Sequence, residues 1–161
     1  MSMFENDQYR WRETYFVLFR AKMRPALEAI QETLGHLSDR FLLTNLVADK
    51  KGRFESLTLL APDDFAALDI SYLGGEEVRE QSEQLIEEIT AAAGEGLEPG
   101  LLKCIREADG RFDVLHFEQA AAFDEDEEEE MFDPSALLVA LEALVELTDG
   151  IAVDPQAGTI L

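Results

Sequence analysis

Residues Leu101–Glu118, LLKCIREADGRFDVLHFE, decide how the rest of the chain is interpreted. Two apolar runs flank the dipeptide Asp109-Gly110, which is typical of a tight turn, so the pattern predicts a β-hairpin. An earlier stretch, Phe41–Leu60, FLLTNLVADKKGRFESLTLL, repeats the core Ala-Asp, Gly-Arg-Phe and acid, with two lysines inserted in the turn. A segment with helical patterning precedes each stretch. The similarity predicts a duplicated unit of strand, helix and hairpin.

Apolar periodicity extends this interpretation along the chain. Residues 15–20 predict a strand because they are rich in aromatic and β-branched side chains, and 76–92 predict a helix. The predicted order is β-α-β-β, again β-α-β-β, and then α-β. Residues 67–153 alone give βαββαβ, the order of a ferredoxin-like sandwich. We therefore expect an α+β fold in which duplicated βαββ units form an antiparallel sheet with helices on one face.

The same pattern predicts one domain. We expect a flexible N-terminus over residues 1–12, followed by a single α+β domain over 13–161 made of two similar halves, 13–62 and 63–161. Residues 123–133 are expected to form an acidic loop, because seven consecutive acids, Asp124 to Glu130, lie within it.

Composition limits the classes of partner and compartment. The 161 residues include 35 acids and 13 bases, a net charge of −22, so we expect no direct binding to nucleic acid or to membranes. A charged partner should instead be a basic protein. The single cysteine excludes an intramolecular disulfide, and no secretory signal or membrane-spanning stretch is visible. These features predict a cytoplasmic protein.

Equivalence of the two hairpins assigns strand faces. It matches Phe54, Ser56 and Thr58 with Phe112, Val114 and His116, a mixed set expected on the open face of the sheet. Such a face could bind a ligand or a second copy, or the two halves could cover each other within one monomer. The candidate interaction surface comprises Phe54, Phe112, Val114, His116, Phe123, Met131 and Phe132.

Few residues indicate chemistry. His36 and His116 are the only histidines, and neither belongs to a nucleophile–base set with recognisable spacing. Cys104 is interpreted as a small core residue, and the acidic run lacks the glycine and the spacing of an EF-hand loop. We therefore expect no catalytic, cofactor-binding or metal-binding residues, although the sequence leaves open whether the protein is an enzyme.

One candidate anion site remains. Arg20, Lys22 and Arg24 lie close together before the first predicted helix, whose N-terminus favours negative charge. The alternative is that these bases pair with the protein's own excess acids.

Three functions follow as hypotheses. The first is a non-enzymatic binding or assembly protein that self-associates through its sheet as a homodimer. The second is an acidic decoy or inhibitor of a basic, nucleic-acid-binding protein. The third is a small-molecule sensor or enzyme that uses the bases near Arg20 or the imidazole of His116.

Overall fold

The computed structural model describes residues 9–62, 66–93, 98–119 and 135–161. Seven strands and four α-helices make up this part of the chain, and they confirm the predicted α+β class. The elements are β1 (Tyr9–Phe19), α1 (Leu27–Gly35), β2 (Leu42–Ala48), β3 (Phe54–Ala61), β4 (Ala66–Gly74), α2 (Glu76–Ala93), α3 (Pro99–Glu107), β5 (Gly110–Gln119), α4 (Ser135–Thr148), β6 (Ile151–Asp154) and β7 (Thr159–Ile160).

The strands form one open antiparallel sheet in the order β2-β3-β4-β5-β1-β6-β7. The long strands β1 and β5 are neighbours inside the sheet, and ten residue pairs join them from Tyr9↔Gln119 to Phe19↔Gly110. Residues 9–12, which fall within the segment expected to be flexible, belong to β1, and Tyr9, Arg10 and Trp11 pair with β5. The flexible N-terminus stays a prediction.

The first predicted hairpin is confirmed. Strands β2 and β3 pair antiparallel, and the turn between them contains Gly52 at φ +81°. Glycine adopts this left-handed conformation without the steric cost that a Cβ would bring. The Asp49 carboxylate supports the turn by accepting hydrogen bonds from the backbone N–H groups of Lys51 and Arg53 at 2.8 and 2.9 Å.

The second predicted hairpin is wrong. Residues 101–107, the region of its first strand, belong to the helix α3. Pro99 occupies the first turn of this helix, where a missing N–H costs nothing, and Leu101, Ile105 and Ala108 fall on its packed side. Helical spacing thus determines the burial of this segment. The wider duplication and the ferredoxin-like order stay predictions.

Helices cover both faces of the sheet, so the prediction that they share one face is wrong. Val17 and Phe19 of β1 pack with α1 and α4, whereas Leu18 between them packs with α2 and α3. Successive side chains of a strand point to opposite faces, so the two helix pairs lie on opposite sides. We call the side covered by α1 and α4 the first face and the side that contacts α2 and α3 the second face.

Two parallel crossovers produce this layering. All neighbouring strands are antiparallel, so strands an even number of places apart run in the same direction. Strands β1 and β2 are therefore parallel and joined by α1, and β5 and β6 are parallel and joined by α4. The order βαββ occurs as β1-α1-β2-β3 and as β5-α4-β6-β7. These segments differ from the predicted halves 13–62 and 63–161, and that division stays a prediction.

Candidate functional site

The predicted apolar interaction surface lies in the core. Phe54, Phe112 and Val114 have no exposed side-chain surface, and all three belong to the cluster under α1 and α4. The sheet register gives the reason. Ile70 of β4 pairs with Leu57 on one side and with Val114 on the other, so Val114 shares its face with Leu57 rather than with Ser56. The expected open position of these residues is therefore wrong.

His116 is also buried, at 7% exposure, near the end of β5. Its Nδ1 lies 3.2 Å from Oε1 of Glu13. Two residues after His116, the Oε1 atom of Glu118 lies 3.0 Å from Nε of Arg12. The second carboxylate oxygen of Glu118 has no hydrogen-bond partner among the described residues. Burial raises the pKa of Glu118, and the Arg12 charge opposes that shift. The contacts of this group are one histidine–carboxylate contact and one arginine–carboxylate ion pair, and those that the structure describes include no serine or cysteine nucleophile.

The structure does not describe part of the predicted interaction surface. Phe123, Met131, Phe132 and the acidic loop 123–133 lie outside the described residues. Within the described ranges, no group of three or more His, Cys, Asp or Glu side chains is arranged to hold a metal ion. None of the helices described in the structure combines the length and apolar character that a membrane crossing needs.

An open region does exist on the second face, beside β2. A shallow cavity of about 460 Å³ lies over β2, β3 and β4, with Ser56, Thr58, Asp69 and Ser71 among its lining residues. Thr58 donates to Asp69 at 2.7 Å and accepts from the Asn45 amide at 3.3 Å. Helices α2 and α3 contact this face through β4 and through β1, β6 and β7. The lining of the cavity is therefore mixed: Leu46, Val47 and Leu115 are among its apolar residues, and Thr58 and Asp69 are hydrogen-bonded to each other.

Apolar exposure concentrates at the neighbouring sheet edge. Strand β2 is an edge strand, and its Leu42, Leu46 and Val47 are 55, 38 and 44% exposed. Leu42 pairs with Leu60 and Val47 with Ser56, which places both side chains on the second face. A bulge between Thr44 and Val47, with Asn45 at φ +54°, bends the strand. The cavity and this edge form one continuous surface.

The structure separates the three predicted anion-site residues. Arg24 stacks on Tyr72 with its Cζ 4.0 Å from the ring centroid, and its Nη1 lies 3.5 Å from the Asp49 carboxylate. Its Nε donates to the backbone carbonyl of Phe54 at 2.8 Å. These contacts fix the Arg24 side chain beside the β2–β3 turn. Arg24 therefore pairs with an acid of the protein itself, as the alternative to an anion site expects.

Arg20 and Lys22 line a different cavity, of about 640 Å³, which we call the basic cleft. Two further cations, Arg79 of α2 and Arg106 of α3, share it with three acids. Its lining residues are Arg20, Lys22, Arg79, Arg106, Glu83, Glu107 and Asp109. The cleft therefore has a local charge of +1 in a chain of −22.

Short contacts shape the cleft. Arg20 donates a hydrogen bond to Glu107, which lowers the pKa of Glu107 and raises the pKa of Arg20. Asp109 accepts from the Ala21 N–H at 2.7 Å and lies 3.6 Å from Arg79. The sequence interpretation missed Arg79 and Arg106, because they come from segments far from Arg20 along the chain.

Cys104 lies near the cleft on the surface of α3. Its thiol is exposed, so the prediction of a small core residue is wrong. Alternation along the predicted strand would bury this side chain, whereas on α3 it lies beside the exposed Lys103. Cys104 lines an adjacent cavity together with Arg20, Lys22 and Glu107.

Comparisons with known proteins assign neither a family nor a function to this chain. Neither known protein families, nor curated proteins, nor solved structures gave a match to this chain.

Proposed function

We propose that the protein is a non-enzymatic assembly protein that forms a homodimer through the edge strand β2. The observation that carries the proposal is the composition of this strand. Its seven residues, LLTNLVA, contain no charged side chain, whereas 30% of the whole chain is charged. Charges, proline and bulges are the usual features that discourage an edge strand from pairing with another chain, and β2 has a bulge but neither a charge nor a proline.

The two edges of the sheet differ in their capacity to pair. The opposite edge strand, β7, has two residues, which is too short for a stable ladder. Strand β2 has seven residues, and three of its large apolar side chains are exposed. Pairing of two β2 strands about a twofold axis would place the same surface of each copy in contact, as most homodimers do.

Charge also favours this edge. Two chains that each carry −22 repel each other, so contact is least unfavourable where the surface is neutral. The described lining of the cavity beside β2 contains one ionisable residue, Asp69, which is hydrogen-bonded to Thr58. The edge and its cavity therefore combine apolar exposure with low charge.

The oligomeric state tests this proposal. Light scattering after gel filtration should give a mass near twice 18.0 kDa for the native chain at high concentration. Val47→Lys should give the monomer, because it places a desolvated charge in the interface. Leu138→Lys is the matched control, since Leu138 is equally apolar and 52% exposed on α4, away from β2. A native chain that stays monomeric throughout contradicts the proposal.

A second candidate is the decoy for a basic protein, favoured by the outer surface of α2. Six glutamates on this helix are exposed: Glu76, Glu77, Glu80, Glu83, Glu87 and Glu88. Such a surface attracts basic partners in a manner that salt weakens. Capture from lysate at low salt, followed by elution as salt rises, would support it; replacement of Glu80, Glu87 and Glu88 by glutamine should then abolish the capture.

A further inference from the structure

The basic cleft contains two cations without a partner among the residues that the structure describes. Lys22 and Arg106 are exposed, and neither forms a hydrogen bond or ion pair within the part of the chain that the structure describes. Acids outnumber bases 35 to 13 in this sequence, so partners for a surface cation are plentiful. Two unpaired cations in one cavity indicate a capacity to bind a negatively charged group from outside.

The other two cations are only loosely held. Arg79 lies 3.6 Å from Asp109, which is beyond hydrogen-bond distance. Arg20 is hydrogen-bonded to Glu107, but half of its side chain is exposed, and exposed ion pairs contribute little to stability. An incoming anion can therefore recruit both guanidinium groups at small cost.

We propose that the basic cleft binds a small phosphorylated molecule that also carries hydroxyl groups. Guanidinium groups match the oxygens of a phosphate in a bidentate manner, and the Lys22 ammonium adds a third donor. The carboxylates of Glu83 and Asp109, in the same cavity, are acceptors for hydroxyl groups. This proposal is independent of the dimer, because the cleft lies at the end of β1 and not at β2.

The charge of the chain favours a compact ligand over an extended one. The four cations line one cavity, so a compact anion placed there lies among them. A long acidic peptide would extend beyond the cleft and meet the negative potential of a chain of −22. The cavity, at about 640 Å³, lies in the size range of small-molecule sites.

Titration calorimetry at low ionic strength tests the site, with glucose 6-phosphate as the probe. We expect saturable binding of one molecule per chain, weaker binding of orthophosphate and none of glucose. Lys22→Gln and Arg106→Gln should each weaken the binding of glucose 6-phosphate about tenfold, because each removes a charge-assisted contact. Lys50→Gln is the matched control: it removes one exposed cation from the β2–β3 turn and should change affinity less than about twofold.

Several results would overturn the proposal. Absence of saturable binding of both phosphates would do so, as would an equal loss of affinity in Lys50→Gln, which would indicate a general charge effect. Orthophosphate binding as tightly as glucose 6-phosphate would overturn the role of the hydroxyl groups. If only a synthetic peptide of residues 122–133 bound, the cleft would be a peptide site. Val47→Lys should retain binding, which separates this test from that of the dimer.

Discussion

The guanidinium of Arg24 lies over the ring of Tyr72, with its Cζ 4.0 Å from the ring centroid, while its Nε donates to the carbonyl of Phe54. One side chain thus joins the loop before α1, the start of β3 and the end of β4. Asp49, in the β2–β3 turn, lies 3.5 Å from the same guanidinium. This arrangement explains why Arg24 is unavailable to a ligand.

Replacement of Arg24 by lysine should therefore destabilise the fold. Lysine keeps the charge but loses the planar group that stacks on the ring and donates in two directions. We expect a decrease of about 1–3 kcal/mol in the free energy of unfolding, measured by urea denaturation. Arg53→Lys is the control, because Arg53 is half exposed and pairs with the same Asp49; it should cost less than about 1 kcal/mol. Equal effects of the two changes would contradict the structural role of Arg24.

A second prediction concerns the aromatic core of the first face. The ring of Phe112 lies 4.7 Å from that of Phe19 and 5.3 Å from that of Phe54, centroid to centroid. Phe112→Ala should lower the free energy of unfolding by about 3–5 kcal/mol, because it leaves a cavity in a fully buried cluster.

Leu46→Ala provides the comparison for this core variant. Leu46 is partly exposed on β2, so its truncation should change the stability of the monomer by about 0.5 kcal/mol or less. Denaturation at low protein concentration measures both variants free of association. Similar stabilities for the two variants would mean that Phe112 lies on an open face, as the hairpin equivalence first indicated.

Local chemistry explains which parts of the fold could be predicted. The β2–β3 hairpin can be predicted because its turn residues, Asp49 and Gly52, favour this turn conformation by themselves. The prediction of a strand over residues 101–105 is wrong because a short apolar run fits a strand and a buried helical turn equally well. Pro99, together with the spacing of Leu101, Ile105 and Ala108, was the signal that favoured the helix.

The face on which a strand residue lies, and the residues that meet in a cleft, depend on contacts between segments that are distant in sequence. Val114 shares a face with Leu57 only because β4 lies between their strands and fixes both registers through Ile70. Nothing within either strand specifies that neighbour. The basic cleft is similar: Arg20 and Lys22 were identified from their closeness in sequence, whereas Arg79 and Arg106 join them only through the packing of α2 and α3.

A third prediction concerns alkaline pH. Burial raises the pKa of Tyr15 to about 12, with the negative charges of Glu13 and Asp154 adding to the shift. The unfolded phenol ionises near pH 10, so above that pH the unfolded state loses this proton more readily than the folded state. Stability should therefore fall as pH rises from about 10 towards 12.

Tyr15→Phe should remove this part of the alkaline loss. The free energy of unfolding of the variant should therefore increase relative to that of the native chain between about pH 10 and pH 12. Absorbance titration of the phenolates provides a second measurement. In this titration the variant should lack the component that ionises near the raised pKa of Tyr15, at about 12. A native chain and a variant with the same alkaline dependence would contradict a raised pKa for Tyr15.

A last prediction compares Gly150, in the turn between α4 and β6, with Gly35, at the end of α1. A Cβ added at Gly150 would lie 2.5 Å from the carbonyl oxygen of Leu18 and 2.9 Å from Oγ1 of Thr148, whereas a Cβ at Gly35 would meet nothing within 4 Å. The Leu18 carbonyl belongs to the central strand β1 and cannot move freely.

Gly150→Ala should therefore destabilise the protein by about 1–3 kcal/mol, because the added methyl group forces the turn away from β1. Gly35→Ala, at the end of α1, should be neutral or stabilising by up to about 1 kcal/mol, since alanine favours the helix and restricts the unfolded chain. Urea denaturation of the two variants measures the contrast directly. Because both changes add the same methyl group, a Gly150→Ala variant as stable as Gly35→Ala would show that the turn does not pack against Leu18.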